Sequence, residues 1–117
     1  TTIGRFRRVH PLGSTGQVVA LDEDKNYAGI VQVAEAHAED YDEAMQVREI
    51  LHFTDTMLLP TMTVKQAVAL FDKAEAEALA VVEASDNREV IGLLTEAYAL
   101  RRYSSELEQR RQEILGE

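Results

Sequence analysis

The sequence predicts an α/β fold built from two similar halves. A β-hairpin is indicated at residues 78–95, where two aliphatic runs flank a polar break at residues 85–88. The helices that are predicted on both sides of this hairpin need a sheet to pack against. The pattern also repeats, because Gly29 and Gly92 take matching positions 92 − 29 = 63 residues apart. A long period with one supersecondary unit per repeat is typical of units that bury their open faces against each other.

Composition limits the function classes that this chain can serve. Its 117 residues suffice for one domain or a tight pair of half-domains, and it has no cysteine for disulfides or thiolate metal sites. A net charge of −9 argues against nucleic acid or an anionic membrane surface as the main partner. No apolar run approaches the roughly 18 residues of a membrane span. The chain opens on a helical pattern at Thr1, so we expect it to be cut from something longer.

The first half predicts a helix, a hairpin and a second, short helix. Ile3, Phe6 and Val9 share one helical face in residues 2–9. Strands follow at residues 17–21 and 27–33, joined by an acidic turn, and a short helix is expected at residues 34–40. An acidic linker then leads to a helical turn at residues 47–51.

The second half begins with an apolar run, Met57-Leu58-Leu59, that has no counterpart in the first half. The first unit is therefore expected to lack its N-terminal strand. Thr63 followed by Gln66 is a capping-box signature for a helix at residues 64–76. After the hairpin, a helix is predicted from Glu96 to the end of the chain. An apolar stripe runs along it, formed by Leu100, Tyr103, Leu107 and Ile114.

The order strand, helix, strand, strand, helix, used twice, resembles a tandem pair of cystathionine β-synthase (CBS) domains, also called a Bateman module. Val-Val pairs precede the acidic turn in both halves, and Gly92-Leu93-Leu94-Thr95 matches the family's strand-to-helix junction. The resemblance implies two small three-stranded sheets flanked by helices about a pseudo-twofold axis. It places the first, N-terminally incomplete motif at residues 1–46 and the second motif at residues 47–117.

Shorter strings make the chain most similar to the cytoplasmic C-terminal region of bacterial ClC-type chloride channels and transporters. They are Phe6-Arg7-Arg8 with Pro11-Leu12-Gly13-Ser14, Asn26-Tyr27-Ala28-Gly29-Ile30-Val31, and the tail from Leu100 to Leu115. This resemblance implies a regulatory and dimerisation module on the cytoplasmic face of the inner membrane. Its partners would be a second copy of the module and the transmembrane ClC-type domain of the same parent chain.

Tandem CBS domains hold adenine nucleotides in two clefts, each marked by Gly-h-h-Thr/Ser-x-x-Asp, where h is hydrophobic. Gly92 and Thr95 match this pattern, whereas Tyr98 stands at the aspartate position. The first half keeps Gly29 but has Gln32 and Glu35 at the polar positions. The resemblance implies ATP, AMP or adenosine as a ligand, with no required cofactor. The residues that it assigns to nucleotide binding are Leu59, Thr63, Gly92, Thr95, Tyr98 and Gly29.

Alternative interpretations of these residues remain open. Thr95 has the residue type and position of an ordinary helix N-cap, and Gly92 could allow a strand to pack closely on a helix. The stripe of α-helical positions from Leu100 to Ile114 could form a homodimer contact or seat the last helix on its own sheet.

The sequence gives no support for catalysis. It has no cysteine, no serine-histidine-acid arrangement that the spacing singles out, and no paired carboxylates in an apolar context. His10, His37 and His52 lack the spacing of a zinc site, so no metal site is predicted. We therefore expect a protein that is not an enzyme. Two other functions stay open, namely a free-standing adenylate sensor and a regulatory insert of a metabolic enzyme.

Overall fold

The computed structural model describes residues 1–116. Four α-helices, four strands and one 3-10 turn follow each other along this part of the chain. In chain order they are α1 (Ile3–Val9), β1 (Gln17–Leu21), β2 (Tyr27–Gln32), α2 (Val33–Ala36), the 3-10 turn (Val47–Ile50), α3 (Val64–Ala74), β3 (Ala78–Ala84), β4 (Asn87–Thr95) and α4 (Glu96–Leu115).

The strands form two antiparallel sheets, β1 with β2 and β3 with β4, and this arrangement confirms the predicted α/β fold of two small sheets flanked by helices. Each sheet has two strands, however, and the prediction of three strands per sheet is wrong in that detail. In the second half the expected third strand is reduced to one parallel bridge between Leu58 and Val81. The apolar run is short and Pro60, which has no N–H group, follows it, so the ladder ends there.

The first half has its own apolar core, to which the helices and β2 contribute. Its buried members are Ile3, Phe6, Val31, Val33, Ala36, Val47 and Ile50. The 3-10 turn therefore packs on the first half, although the predicted boundary between the motifs falls just before it. That boundary, at residues 46 and 47, stays a prediction.

The second half buries a separate core between its sheet, α3 and α4, and a third cluster lies between the two sheets. The second core consists of Leu58, Ala67, Phe71, Ala76, Leu79 and Ala99. The cluster between the sheets consists of Tyr27, Ile30, Ala80 and Val82. Each sheet thus packs its helices on one face and the other sheet on the opposite face, as paired units do.

Helix α2 ends four residues earlier than its predicted range, and Arg7 supplies a reason. The Arg7 guanidinium donates to the backbone carbonyl oxygens of Ala36, Ala38 and Tyr41 at 2.7, 2.6 and 3.1 Å. These carbonyl groups are satisfied by a side chain from α1, so the segment that follows α2 does not need helical hydrogen bonds. Arg7 therefore holds the segment that follows α2 against α1.

Helix α4 has 20 residues, which corresponds to a length of about 30 Å. Ala99 is its one buried residue. The remaining apolar stripe is half-buried at Tyr103 and exposed at Leu107 and Ile114, so the far end of α4 is not seated on its own sheet. None of the helices in residues 1–116 combines the length and the hydrophobicity needed to cross a membrane.

Candidate nucleotide site and dimer surface

The strand-to-helix junction of the second half is built around Thr95. This residue is the N-cap of α4, and its Oγ1 accepts a hydrogen bond from the Tyr98 backbone N–H at 3.2 Å. Such a cap satisfies one of the N–H groups that every helix start leaves unpaired. The N-cap role left open for Thr95 is therefore the geometry observed. The side chain is exposed at the start of a long helix, where the helix dipole favours a negative charge.

Gly92 lies on β4 opposite Val81, three residues before Thr95. A Cβ atom placed on Gly92 would meet no other atom within 4 Å. Close packing of the strand on a helix therefore does not require a glycine at this position within residues 1–116. The absence of a side chain leaves open space beside the backbone of β4.

Gly29, the matching residue of the first half, has the opposite surroundings. A Cβ atom there would lie 2.9 Å from the Cβ of Leu51 and 3.0 Å from the carbonyl oxygen of His52. The segment that leaves the 3-10 turn runs directly over Gly29, so only a glycine lets the two backbones approach this closely. Gly29 is needed for packing, and its backbone is covered by the chain itself.

Tyr98 presents aromatic surface at the first turns of α4, and two arginine side chains lie close to it. Its side chain is 44% exposed, and the guanidinium carbon of Arg101 lies 5.9 Å from the centre of its ring. Tyr98 and Arg102 also line a shallow cavity of about 330 Å³ between α3 and α4. A phenol cannot provide the carboxylate that the family pattern places here, but two cations lie close by.

The remaining predicted site residues lie at other places in the second half. Leu59 is half-buried against the cluster between the sheets. Thr63 is exposed and caps α3 through a complete capping box, in which its Oγ1 accepts from the Gln66 N–H at 3.1 Å. The structure thus brings Gly92, Thr95 and Tyr98 together along one junction. It places Leu59 on the inner side of the sheet and Thr63 at the start of another helix.

Sequence reasoning did not identify a groove in the first half. This groove has a volume of about 690 Å³ and lies between α1, β1 and the 3-10 turn. Residues that line it include Phe6, His10, Val18, Val19, Arg48 and Leu51. One sequence signal points to it: the first half has no counterpart of the Met57-Leu58-Leu59 run.

Tyr27 and Arg88 form a second feature that the sequence did not reveal, at the joint between the halves. Tyr27 is buried, its hydroxyl donates to the Phe53 carbonyl at 2.5 Å, and Arg88 lies 5.6 Å from its ring centre. Burial raises the pKa of Tyr27 to about 12, against an opposing effect of the Arg88 charge. Arg88 also donates to the Thr54 carbonyl, so the hairpin of the second half is fastened to the segment between the 3-10 turn and α3.

The histidines take structural positions. His37 Nε2 lies 2.7 Å from the His10 carbonyl oxygen, and His52 Nε2 lies 2.9 Å from a Glu35 carboxylate oxygen. No group of three or more metal-ligating side chains is found in residues 1–116.

Comparisons with known proteins find similarity at the level of structure. No protein-family model and no curated protein matches the chain. A CBS-pair domain assigned to a Mg²⁺ transporter of Shewanella oneidensis MR-1 is 19% identical with a TM-score of 0.70, over 92% of this chain and 62% of that one. A CBS-domain pair in complex with 5′-methylthioadenosine and S-adenosyl-L-methionine is 18% identical with a TM-score of 0.68, over 91% and 84%.

The cytosolic domain of the Mg²⁺ channel MgtE in complex with ATP is 20% identical with a TM-score of 0.67, over 86% of this chain and 41% of that one. This chain thus spans less than two thirds of each of these two solved transporter domains. These neighbours do not support the ClC-specific part of the prediction, because the two that belong to transport proteins concern Mg²⁺. The agreement in fold covers nearly all of this chain, which has the fold of a tandem CBS-domain pair.

Proposed function

We propose that this chain is a regulatory and dimerisation module of a membrane transport protein, on the cytoplasmic face of the inner membrane. One observation carries the dimerisation part of this proposal: α4 projects an apolar stripe that the rest of residues 1–116 leaves exposed. Leu107 is 47% exposed and Ile114 is 84% exposed. A sustained stripe at heptad spacing is a surface for packing against another helix. The partner that we propose is α4 of a second copy, in a homodimer.

The dimer is tested by light scattering over a range of concentrations. The unmodified chain is expected to show twice the monomer mass, and Leu107→Asp is expected to shift it to monomer. Gln109→Asp is the matched control, because it adds the same charge to an exposed position two residues away on another face of α4. A monomer at all concentrations contradicts the proposal, as does a loss of dimer in the Gln109 variant alone.

We further propose that the junction of β4 and α4 binds an adenine nucleotide through its phosphates. Support comes from the open space beside Gly92 and from the capped start of a 20-residue helix at Thr95. Arg101 and Arg102 add positive charge within the first two turns. Tyr98 replaces the carboxylate that would hold a ribose diol, so phosphate contacts should dominate the affinity. ATP should then bind more tightly than AMP, and AMP more tightly than adenosine.

Isothermal titration with these three ligands measures that order. Thr95→Val should weaken ATP binding, whereas Thr2→Val should leave it unchanged while removing a similar N-cap. Thr2 caps α1 by accepting from the Arg5 N–H at 3.2 Å, far along the chain from the junction. Equal affinity for ATP and adenosine would show that phosphate is not recognised. No heat with any of the three would remove the nucleotide from the proposal but leave the dimer intact.

The identity of the parent protein would distinguish a ClC-type chloride protein from a Mg²⁺ transport protein. The sequence strings favour a ClC-type chloride channel or transporter, whereas two similar structures belong to Mg²⁺ transport proteins. In either protein, a ligand would regulate transport by binding more tightly to one arrangement of the two modules than to another. Flux of chloride and of Mg²⁺ through vesicles that contain the parent protein separates these classes. A parent with no transmembrane region would instead favour the free-standing sensor or the enzyme insert.

A further inference from the structure

The far part of α4 extends beyond the core of the second half. Past Ala99, its one buried residue, the helix continues for about 24 Å. In the heptad notation a to g, Leu100, Leu107 and Ile114 take the a positions of this part. All three side chains are at least 45% exposed. The exposed stripe therefore has the spacing of a contact between two helices.

The residues that border this stripe differ from one side to the other. Glu106 and Glu113 take the g positions on one side, and Ser104 and Arg111 take the e positions on the other side. Glu106 and Arg111 are five positions apart, so they lie on opposite sides of the stripe and do not face each other within one helix. Neither takes part in an ion pair within residues 1–116. Both charges are therefore available to a second helix.

The orientation of a second α4 determines which of these charges meet. In a parallel pair in register, the g residue of one helix faces the e residue five positions later on the other helix. Glu106 would then face Arg111 of the second copy, and twofold symmetry would give two such pairs. The same packing sets Leu107 and Ile114 each against its own copy, so these layers are entirely aliphatic.

An antiparallel pair would bring less compatible residues together. Reversing one helix sets the same side of both stripes face to face, so the g residues of one helix lie near the g residues of the other. Glu106 would then lie near Glu113 of the second copy, and these like charges repel. Leu107 would share a layer with Arg110 of the second copy. The charges of α4 therefore favour the parallel pair.

Arg110 is the one charged residue at an a or d position of residues 100–114, where it lies between Leu107 and Ile114. A polar residue at a single inner position lowers the stability of a coiled coil. Glu106 and Glu113 lie one turn before and after Arg110 on the same helix, so its long side chain can turn its charge outward towards them. The contact should therefore have a moderate affinity, which makes changes of charge along its sides measurable.

We propose that the α4 helices of two copies pair in parallel and in register, with Glu106 of each helix bound to Arg111 of the other. This inference rests on the proposed dimer and adds its orientation and the residues that select it. Parallel pairing keeps both modules at one end of the contact. That arrangement is compatible with two chains that enter from the same face of a membrane.

Charge reversals test the two ion pairs. Glu106→Arg should raise the dissociation constant of the dimer about tenfold, because two attractions become two repulsions, and Arg111→Glu should do the same. An equimolar mixture of these two variants should form a heterodimer as tight as the unmodified dimer, since each reversed charge then faces an opposite charge. Sedimentation equilibrium measures all three. Glu108→Arg is the control, because it makes the same change at an exposed position on the outer face of α4 and should leave the constant unchanged.

The opposite orientation predicts a result of opposite sign. In an antiparallel pair, Glu106→Arg would set a positive charge near Glu113 and tighten the dimer, which would overturn the proposal. A mixture that associates no more tightly than either variant alone would overturn it as well. Both results leave the dimer itself in place, whereas an unmodified chain that stays monomeric removes the dimer and its orientation together.

The absence of cysteine from the sequence allows a second readout. Ile114→Cys places a single thiol at an a position, where parallel helices bring the two copies within reach of a disulfide. With oxidised glutathione, it should form a covalent dimer about tenfold faster than Gln112→Cys, an exposed control on the outer face. Equal rates overturn the proposal. A mixture of Leu100→Cys and Ile114→Cys chains that cross-links with each other faster than Ile114→Cys with itself also overturns it, because only antiparallel helices bring those positions together.

Discussion

The two halves of this molecule repeat one pattern but differ at one strand. In the second half, the bridge from Leu58 to Val81 closes the sheet edge, and Leu79, Ala80 and Val82 of β3 are fully buried. In the first half, every residue of β1 is at least partly exposed. Both halves otherwise contain a capped helix, an antiparallel hairpin and a following helix, although that last helix has 4 residues in the first half and 20 in the second. The three-residue apolar run of the second half is what closes its sheet edge.

The first half is held together in part by contacts that have no equivalent in the described residues of the second half. Arg7 binds three carbonyl groups beyond α2, and the segment at Leu51 and His52 packs over Gly29. The matching glycine of the second half, Gly92, has open space around it. The same residue at equivalent positions therefore allows close packing in one half and lies beside open space in the other.

The largest expected effect comes from removing the residue that seals the second half. Leu58→Ala should lower the free energy of unfolding by about 2–5 kcal/mol, because it leaves a cavity beside Phe71 and Leu79. Val19→Ala, in the half-buried edge of the first half, should cost less than about 1.5 kcal/mol. Urea denaturation measures both variants. Equal losses would show that the two edges are equivalent in packing.

A rise in pH should destabilise the chain through Tyr27, which lies buried where the two halves meet. The pKa of Tyr27 is raised from 10.0 to about 12, so the unfolded chain releases this proton at lower pH than the folded chain. Stability is then fully present below about pH 10 and is lost as the pH rises towards 12, by roughly 2–3 kcal/mol. Urea denaturation across this pH range measures the loss. Tyr27→Phe should remove that part of the pH dependence, and an unchanged slope in this variant would assign it to other groups.

Alanine substitutions at the two glycines test their different surroundings. Gly29→Ala should destabilise the chain by about 1–3 kcal/mol, since its Cβ would lie 2.9 Å from the Leu51 Cβ. Gly92→Ala should change the free energy of unfolding by less than about 0.5 kcal/mol, because its Cβ meets open space. Thermal unfolding of the two variants gives this comparison. Similar losses for both would mean that the backbone, rather than the neighbouring chain, requires glycine at these positions.

The sequence predicted elements whose signals are local. The strand at residues 17–21 and the capping box at Thr63 have the predicted bounds and geometry, because β-branched runs and cap residues act within a few positions. The carbonyl groups of Ala36 and Ala38, at and beyond the end of α2, instead accept hydrogen bonds from Arg7, which lies about thirty residues earlier. Such long-range side-chain bonds leave no periodic signal in the sequence.

The candidate site also combines local features, which the sequence predicts, with long-range contacts, which it does not. Thr95 was recognisable as a helix start, but the openness beside Gly92 and the cover over Gly29 depend on the path of distant segments. The joint of Tyr27 with Arg88 likewise arises only when the two sheets meet. A single sequence contains the residue types of such contacts but not their distances.

The smallest expected effect concerns the helix caps, which also differ between the halves. Thr63 and Gln66 exchange two hydrogen bonds at the start of α3, whereas Thr2 is followed at the equivalent position by Arg5, a residue with no acceptor to return. Arg5→Gln should complete the box at α1.

The gain in the free energy of unfolding should be a few tenths of a kcal/mol, since Arg5 is exposed and only one bond is added. Arg5→Met is the control, because it removes the same charge but offers no amide oxygen to the Thr2 N–H. Matched urea denaturation curves measure the difference between the two variants. If both are equally stable, the α1 cap gains nothing from a reciprocal bond, and the caps do not contribute to the difference between the halves.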